Sequence, residues 1–459
     1  MSRQLFTVAE IAAVTGGRIL QGNPAAPVSG FAYDSRKVRP GDCFVAMPGE
    51  RVDGHDFSAA AAKAGAVCIL AGRPVEAPGA AVVEVPDPLL ALGQLGRAHR
   101  DRFAIPVVGV TGSVGKTTTK ELVAAALGAR LNVFRTAGNF NSEVGLPITL
   151  MDLDASHQAA VLEMGMRALG EITYLASIAR PQIGVVTNVG ETHLELLGTV
   201  ENIARAKGEL VRALPPDGAA VLNADDPRVA AMAGFSPCKV WFYGFSSEGK
   251  GERWVTARDV SRVGESGQRF RLVTPAGEAG VELPAPGRHV VLNATAAAAV
   301  GLELGLTPAE VAEGLARYQP AGSRMRIVRA GGVRILDDTY NAAPVSTIAA
   351  LGVMREMAGS GRCLAVLGDM FELGPAAAEG HRRVGEAAGR LADHVLCLGE
   401  LSRETARAAG DKGLHFPTKQ ALIEALLGMV RSGDTVLVKG SRGMAMEEIV
   451  AALENQLGV

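Results

Sequence analysis

The string Gly109-Val-Thr-Gly-Ser-Val-Gly-Lys-Thr-Thr118 restricts this chain more than any other part of its sequence. An apolar run at residues 105–110 leads into it, and a helical pattern starts near Lys116. A strand that feeds a glycine loop and then a helix turns its backbone N–H groups inward, where they bind phosphate together with the helix N-terminus. In such a loop Gly112, Ser113, Val114 and Gly115 form the cradle and Lys116 reaches the β- and γ-phosphates. Thr117 places its hydroxyl on Mg2+, with Thr118 beside it. The spacing departs from the common pattern, because Val110 rather than glycine stands five residues before Gly115. A loop of this kind sits at the end of a parallel strand, which commits this part of the chain to an open α/β sheet.

Three α/β segments are expected. A length of 459 residues suits two to four domains at about 100–200 residues each. The first segment, 1–84, is small. It starts with a helix after Thr7, whose hydroxyl and Glu10 form a capping-box pattern, and continues with β-like runs at 43–47 and 67–70. The central segment, 85–319, has a helix at 89–100, the strand and loop above, buried strands at 159–162 and 183–187, and an alanine-rich helix at 294–306. The third segment, 320–459, alternates apolar runs at 364–367, 394–398 and 435–438 with helical stretches, in a Rossmann-like manner.

Composition narrows the function. Apolar residues make up 48% and charged residues 20%, enough to bury several cores. The formal net charge of -2 argues against nucleic-acid or anionic-membrane binding by the chain as a whole. The five cysteines are odd in number and none pair at CxxC spacing, as in a reducing compartment. The first ten residues have no leader-like apolar run behind them, and no stretch approaches the roughly 20 apolar residues of a membrane helix. A cytoplasmic monomer without membrane insertion is the expectation.

Several residues stand at strand ends where ligands collect in α/β sheets. Glu163 ends one apolar run and suits Mg2+. His193 follows another, in Thr187-Asn-Val-Gly-Glu-Thr-His193. The paired carboxylates of Asp337-Asp-Thr-Tyr-Asn341 are costly unless something binds them. Asp34-Ser-Arg36 and Asp53-Gly-His55 read as turns that could hold a diphosphate. Lys207, in Ala-Arg-Ala-Lys-Gly-Glu-Leu210, reads by itself as a lysine on a solvated helix face. The string Asn223-Ala-Asp-Asp226 lacks the lysine of a guanine reader, so guanine specificity is unsupported.

Together, the strings TGSVGKTTTKE, GNFNSEVGLP, EMGMRALGEI, TNVGETHLE and AKGEL resemble those of the Mur ligases, peptide-adding enzymes of peptidoglycan synthesis. DDTYNAAP, LGDMFELG and VKGSRGMAME extend the resemblance to the C-terminus and are most like those of the members that add D-alanyl-D-alanine. The resemblance implies three domains: a UDP-substrate domain, a P-loop ATPase-like open sheet, and a Rossmann-like domain that closes on ATP and helps bind D-Ala-D-Ala. It implies ATP, two Mg2+ ions, UDP-N-acetylmuramoyl-tripeptide and D-Ala-D-Ala as cofactors and substrates. Residue by residue, Lys116 matches the phosphate lysine, and Thr117, Glu163 and His193 match metal ligands. Lys207 matches a lysine that relatives carbamylate, a carboxylate-like metal bridge that displaces the surface reading. Asn293 matches an adenine contact and Asp338 a nucleotide contact. Arg326 matches an arginine near the phosphates, with Arg324 as a competing alignment. Asp34, Ser35, Arg36, Gly54 and His55 match the UDP surface, and Asn139 and Asn341 complete the substrate set. The DSR and DGH strings argue against a folate ligase, and the intact Lys116, Thr117, Glu163, His193 and Lys207 argue against a binding protein that has lost catalysis; a switch ATPase, which would release phosphate without either substrate, stands as the rival from another class.

Overall fold

The computed structural model describes residues 4–49 and 52–458. The chain divides into two compact units. One comprises Met1–Gly109, Asn132–Met166 and Glu171–Gln182; the other comprises Val110–Leu131, Arg167–Gly170 and Ile183–Val459.

The first unit begins as the sequence predicts. Thr7 caps helix Val8–Thr15, accepting the Glu10 N–H at 3.2 Å, while the Glu10 carboxylate takes the Thr7 N–H at 2.6 Å. A five-stranded sheet follows, in the order Arg18–Gln21, Ala81–Glu84, Cys68–Ala71, Asp42–Ala46, Gly30–Ala32. All neighbours pair in parallel except the outer strand Arg18–Gln21. Every residue of Asp42–Ala46 is buried, which is why its apolar run is continuous rather than alternating. Cys43 and Cys68 face each other in this core, and all five cysteines are free thiols. The same unit holds parallel strands Val133–Arg135 and Ala159–Glu163, and Glu163 ends the second of them at 2% exposure.

The second unit carries two sheets. In one, Ile183–Val186, Ala219–Asn223, Lys239–Tyr243 and Trp254–Val263 pair in parallel. Gly267–Thr274 and Gly277–Leu283 then extend the edge as antiparallel strands. These last three strands are absent from the sequence reading. Their apolar positions alternate with charge, as Phe270 and Leu272 do with Arg269 and Arg271, and the exposed arginines pair with Glu282, Asp259 and Glu278. The alanine-rich helix also differs from expectation. It spans Arg288–Glu303 rather than 294–306, because the polar Arg288, His289 and Asn293 mask a first turn in which Val290 and Val291 are buried. Gly305, at φ 81°, turns the chain away behind it.

The other sheet is Rossmann-like, in the order Arg326–Ala330, Val333–Asp337, Thr435–Lys439, Cys363–Gly368, His394–Leu398, Gly413–Phe416. Only its first strand is antiparallel. Helices cover both faces: Pro344–Ala358 and Ala377–Leu391 pack into one core, Lys419–Met429 and Glu447–Leu457 into the other. The chain leaves Cys363–Gly368 toward one edge and returns to Thr435–Lys439 from that edge. A crevice opens beyond the carboxyl ends of such neighbours. The loops there are tied together, with Ser441 N–H on the Asp369 carbonyl at 2.9 Å and Phe371 N–H on the Ser441 hydroxyl at 2.8 Å. Among the described residues no helix is long and apolar enough to cross a membrane.

Thr7→Ala removes one half of the capping box. It should lower stability by about 1 kcal/mol, read as a lower urea midpoint at unchanged slope; an unchanged midpoint would show that the cap contributes nothing.

Candidate nucleotide site

Strand Val107–Thr111 runs into the glycine loop, and helix Lys116–Leu127 starts directly behind it. Gly115, at φ 84°, is the N-cap of that helix and makes no side-chain cap, at the end where a helix binds anions. Gly112 must be glycine, because a Cβ there would strike the Thr187 hydroxyl. The Lys116 ammonium folds back over the loop and donates to the Gly112 carbonyl at 2.8 Å. Thr117, next along the helix, is buried.

A second loop, 187–193, holds the first in shape. The Asn188 side chain grips Val114 from both sides, accepting its N–H and donating to its carbonyl, each at 2.9 Å. The Thr187 hydroxyl donates to the same carbonyl at 2.7 Å, and the Ser113 hydroxyl accepts the Gly190 N–H at 2.9 Å. Asn223-Ala-Asp-Asp226, which offered no base-reading lysine, has a structural task here. Asn223 donates to the Thr187 carbonyl at 2.8 Å, and Asp226 accepts the Val189 N–H at 2.8 Å.

His193 sits at the end of this second loop with φ 62°. Its Nδ1 lies 2.6 Å from Glu372 Oε2, at ion-pair distance but not along a directed hydrogen bond. Lys207 corrects its reading as a surface lysine. In helix Val200–Arg212 it is 2% exposed. Burial, and then the charge of Lys116, push its ammonium well below the ordinary lysine range. The surface reading fails because 3.6-residue periodicity identifies a face without saying what covers it. Asn293 lies against the loop, 3.2 Å from where a Cβ on Gly115 would stand.

The third-segment residues separate. Asp338 is buried against Lys439, 2.5 Å from its ammonium, which also donates to the Asn341 carbonyl at 2.8 Å. Lys439 was missed; its only signal is a lysine that closes a fully buried strand. Arg326 turns away to Asp337 at 3.0 Å and Glu454 at 3.6 Å. Arg324 instead lies over the Tyr340 ring, at 3.6 Å from its centre. Asn341 is exposed in the loop that follows.

In the first unit, Glu163 accepts from Asn141 Nδ2 at 2.6 Å, whereas Asn139, two residues earlier, is exposed in a turn. Asp34 caps the turn Ser35–Lys37 and binds the Arg36 guanidinium at 2.9 and 2.8 Å, which holds its own carboxyl at about 2. His55 is buried and fully engaged: Nε2 accepts the Gly72 N–H at 2.9 Å, leaving Nδ1 to donate to Asp53 at 2.6 Å. Gly54 packs on the Met47 backbone, where no Cβ would fit. His55 therefore shapes the turn and has no ring nitrogen left for a ligand.

Comparison with known proteins identifies a family. Residues 110–301 match the Mur ligase middle domain, residues 323–442 the Mur ligase glutamate ligase domain, and residues 27–100 the catalytic domain of the Mur ligase family. The chain is 40% identical to the UDP-N-acetylmuramoyl-tripeptide--D-alanyl-D-alanine ligase of Escherichia coli, over 92% of each chain. A MurF structure from Acinetobacter baumannii is similar with TM-score 0.91 and 32% identity, covering 98% of this chain and 99% of that one. MurF ligase from Thermotoga maritima, solved in complex with ADP, is similar with TM-score 0.83 and 32% identity over 93% and 97%.

Proposed function

This chain belongs to the Mur ligase family, and we propose that it joins D-alanyl-D-alanine to UDP-N-acetylmuramoyl-tripeptide at the expense of ATP. The observation that carries this reading is a phosphate loop clasped to the loop of His193 in a chain 40% identical to a ligase of that name. An ADP complex of a relative at 32% identity supports ATP as the second substrate. Peptidoglycan precursor synthesis, in the cytoplasm, follows as the setting.

A carboxylate is a poor acyl donor, because oxide does not leave. Its oxygen attacks the γ-phosphorus of ATP, the bond to ADP breaks, and an acyl phosphate forms. The dipeptide ammonium loses one proton; its neutral nitrogen then attacks the acyl carbon, the carbon–oxygen bond to phosphate breaks, and a second proton leaves the nitrogen. The first step brings two anions together. The loop amides and Lys116 neutralise them in a preorganised site. Asn293 is proposed for adenine and Asp338 for the ribose end of the nucleotide. Asp34, Ser35 and Arg36 are proposed for the UDP diphosphate, with Gly54 and His55 shaping the turn beside them. For the arginine at the phosphates we favour Arg324, since Arg326 is drawn to Asp337 and Glu454.

Mg2+ would supply further neutralisation between the two anions. Thr117 and Glu163 offer the oxygen donors it prefers. His193 and an unmodified Lys207 do not: one is a nitrogen donor already beside Glu372, the other a cation. Among the described residues no three His, Cys, Asp or Glu side chains gather into a metal site. A second ion fits only if Lys207 carries a carbamate. Carbamylation needs the neutral amine, and its burial beside Lys116 favours that form.

Three outcomes follow. Phosphate release should require ATP, UDP-tripeptide and D-Ala-D-Ala together; release with ATP alone would mark a switch ATPase. Arg324→Ala should lower turnover by about a hundredfold, the scale of one lost transition-state contact, whereas Arg326→Ala should lower the melting temperature and leave turnover within about threefold. The reverse pattern would restore Arg326 to the site. Lys207→Ala should lose at least about a hundredfold in turnover, with partial rescue by acetate and none by chloride. The wild-type enzyme in 13C-bicarbonate should show a carbamate carbon that the variant lacks, and near-normal turnover of the variant would sink the carbamate.

A further inference from the structure

Glu372 is a carboxylate that the steps above leave unused. It belongs to loop 369–374, after strand Cys363–Gly368, at the crevice of the third segment's sheet. Its backbone has φ 63°, a left-handed conformation that is costly for a non-glycine residue. His193, with φ 62°, is strained in the same way, and the two side chains meet at 2.6 Å. Residues held in sparsely populated conformations cluster where a function requires the geometry.

The seam between these loops does not depend on the Glu372 side chain. Glu195 donates its N–H to the Glu372 carbonyl at 3.3 Å, and Arg383 grips both oxygens of Glu191 at 3.0 and 3.1 Å. The carboxylate can therefore change partner without the loop moving. It is also accessible, at 45% exposure. His193 first, then Arg167 and Lys116, hold its carboxyl below the ordinary glutamate range.

A carboxylate is an odd choice for a place built to receive phosphate, unless a cation must also come there. In this reaction one does. The dipeptide arrives as an ammonium, and its nitrogen has to stop beside the acyl carbon. We propose that Glu372 binds the ammonium of the incoming dipeptide, taking it in exchange for His193, and so places the nucleophile beside the acyl phosphate. The assignment rests on the ligase reading. It fits the position of Glu372 at the carboxyl ends of the third segment's strands, where an open α/β sheet receives its ligand.

The test is steady-state kinetics of Glu372→Gln and Glu372→Asp on the full chain, with thermal unfolding as the folding control. Glu372→Gln should raise the KM for D-Ala-D-Ala by about tenfold to a hundredfold, the scale of a lost charge-assisted hydrogen bond. The KM values for ATP and UDP-tripeptide should stay within about twofold, and Glu372→Asp should recover part of the loss. D-lactoyl-D-alanine, which has a hydroxyl in place of the ammonium, should bind the wild-type enzyme far more weakly than the dipeptide does; Glu372→Gln should no longer distinguish them. An unchanged KM for the dipeptide in a folded variant would overturn the proposal. So would a fall in the KM for ATP, which would make Glu372 a stand-in for an anion. Should the wild-type enzyme not consume D-Ala-D-Ala at all, the ligase reading itself would be at fault.

Discussion

The clasp between Asn188 and Val114 is the contact on which the site depends. A glycine loop is soft: Gly112 and Gly115 both occupy left-handed backbone that few other residues tolerate, and their freedom is entropy lost on ordering. A cradle of amides binds phosphate well only if its amides already point the right way. Two hydrogen bonds from a single side chain to both polar atoms of one peptide residue achieve this at little entropic cost, since the Asn188 carbonyl is itself held by the Ser113 N–H at 3.0 Å. The same loop carries His193, so the phosphate cradle and its neighbour are set by one piece of chain. Asn223, Asp226 and Tyr243 brace that piece from behind, with the Tyr243 hydroxyl on the Val186 and Thr187 carbonyls at 3.1 and 3.2 Å.

Like charges lie close together around this frame. Lys116 and Lys207 are close enough for one to depress the other's pKa, and burial of Lys207 adds to the effect. Two like charges in low dielectric are unfavourable unless an anion is expected or one of them is neutral. Both conditions suit the proposed chemistry: phosphates satisfy Lys116, and a neutral Lys207 is the form that captures CO2. Lys439 and Asp338 show the opposite solution, a buried pair at 2.5 Å in which each charge answers the other. Such a pair adds little net stability, but it holds the Asp338 carboxylate in one place at the end of its strand.

Much of the fold was legible because its signals are local. The capping box at Thr7, the continuous runs of the parallel strands and the strand–glycine–helix order depend only on nearby residues. The antiparallel strands from Trp254 to Leu283 were not legible, because charged residues at alternate positions read as polar loop until a partner strand is known. In the site, Glu163 and Lys116 were marked by their places at a strand end and a loop. Lys207 was not: its helix has polar neighbours on both sides, and only the fold decides which face is covered. The strings around Asn139 and Arg326 carry a finer detail: Asn141 contacts Glu163 and Arg324 lies over the Tyr340 ring. Motif matching locates a string, but the side-chain direction within it is set by turns that the string does not encode.

Strain gives the last clue to how the parts work together. Of the non-glycine residues with left-handed backbone, His193 and Glu372 lie far apart in sequence and touch in space. Chance placement of two costly conformations at one contact is improbable, and neither is relieved by the other, because an ion pair between accessible groups is worth at most about 1 kcal/mol. The strain must then be sustained by the surrounding seam, in which the Glu191–Arg383 pair and the Glu195–Glu372 backbone bond pull the two loops together. A contact that costs its participants and is held from outside is suited to being exchanged. Ligands that offer His193 and Glu372 better partners release that contact without dismantling the seam.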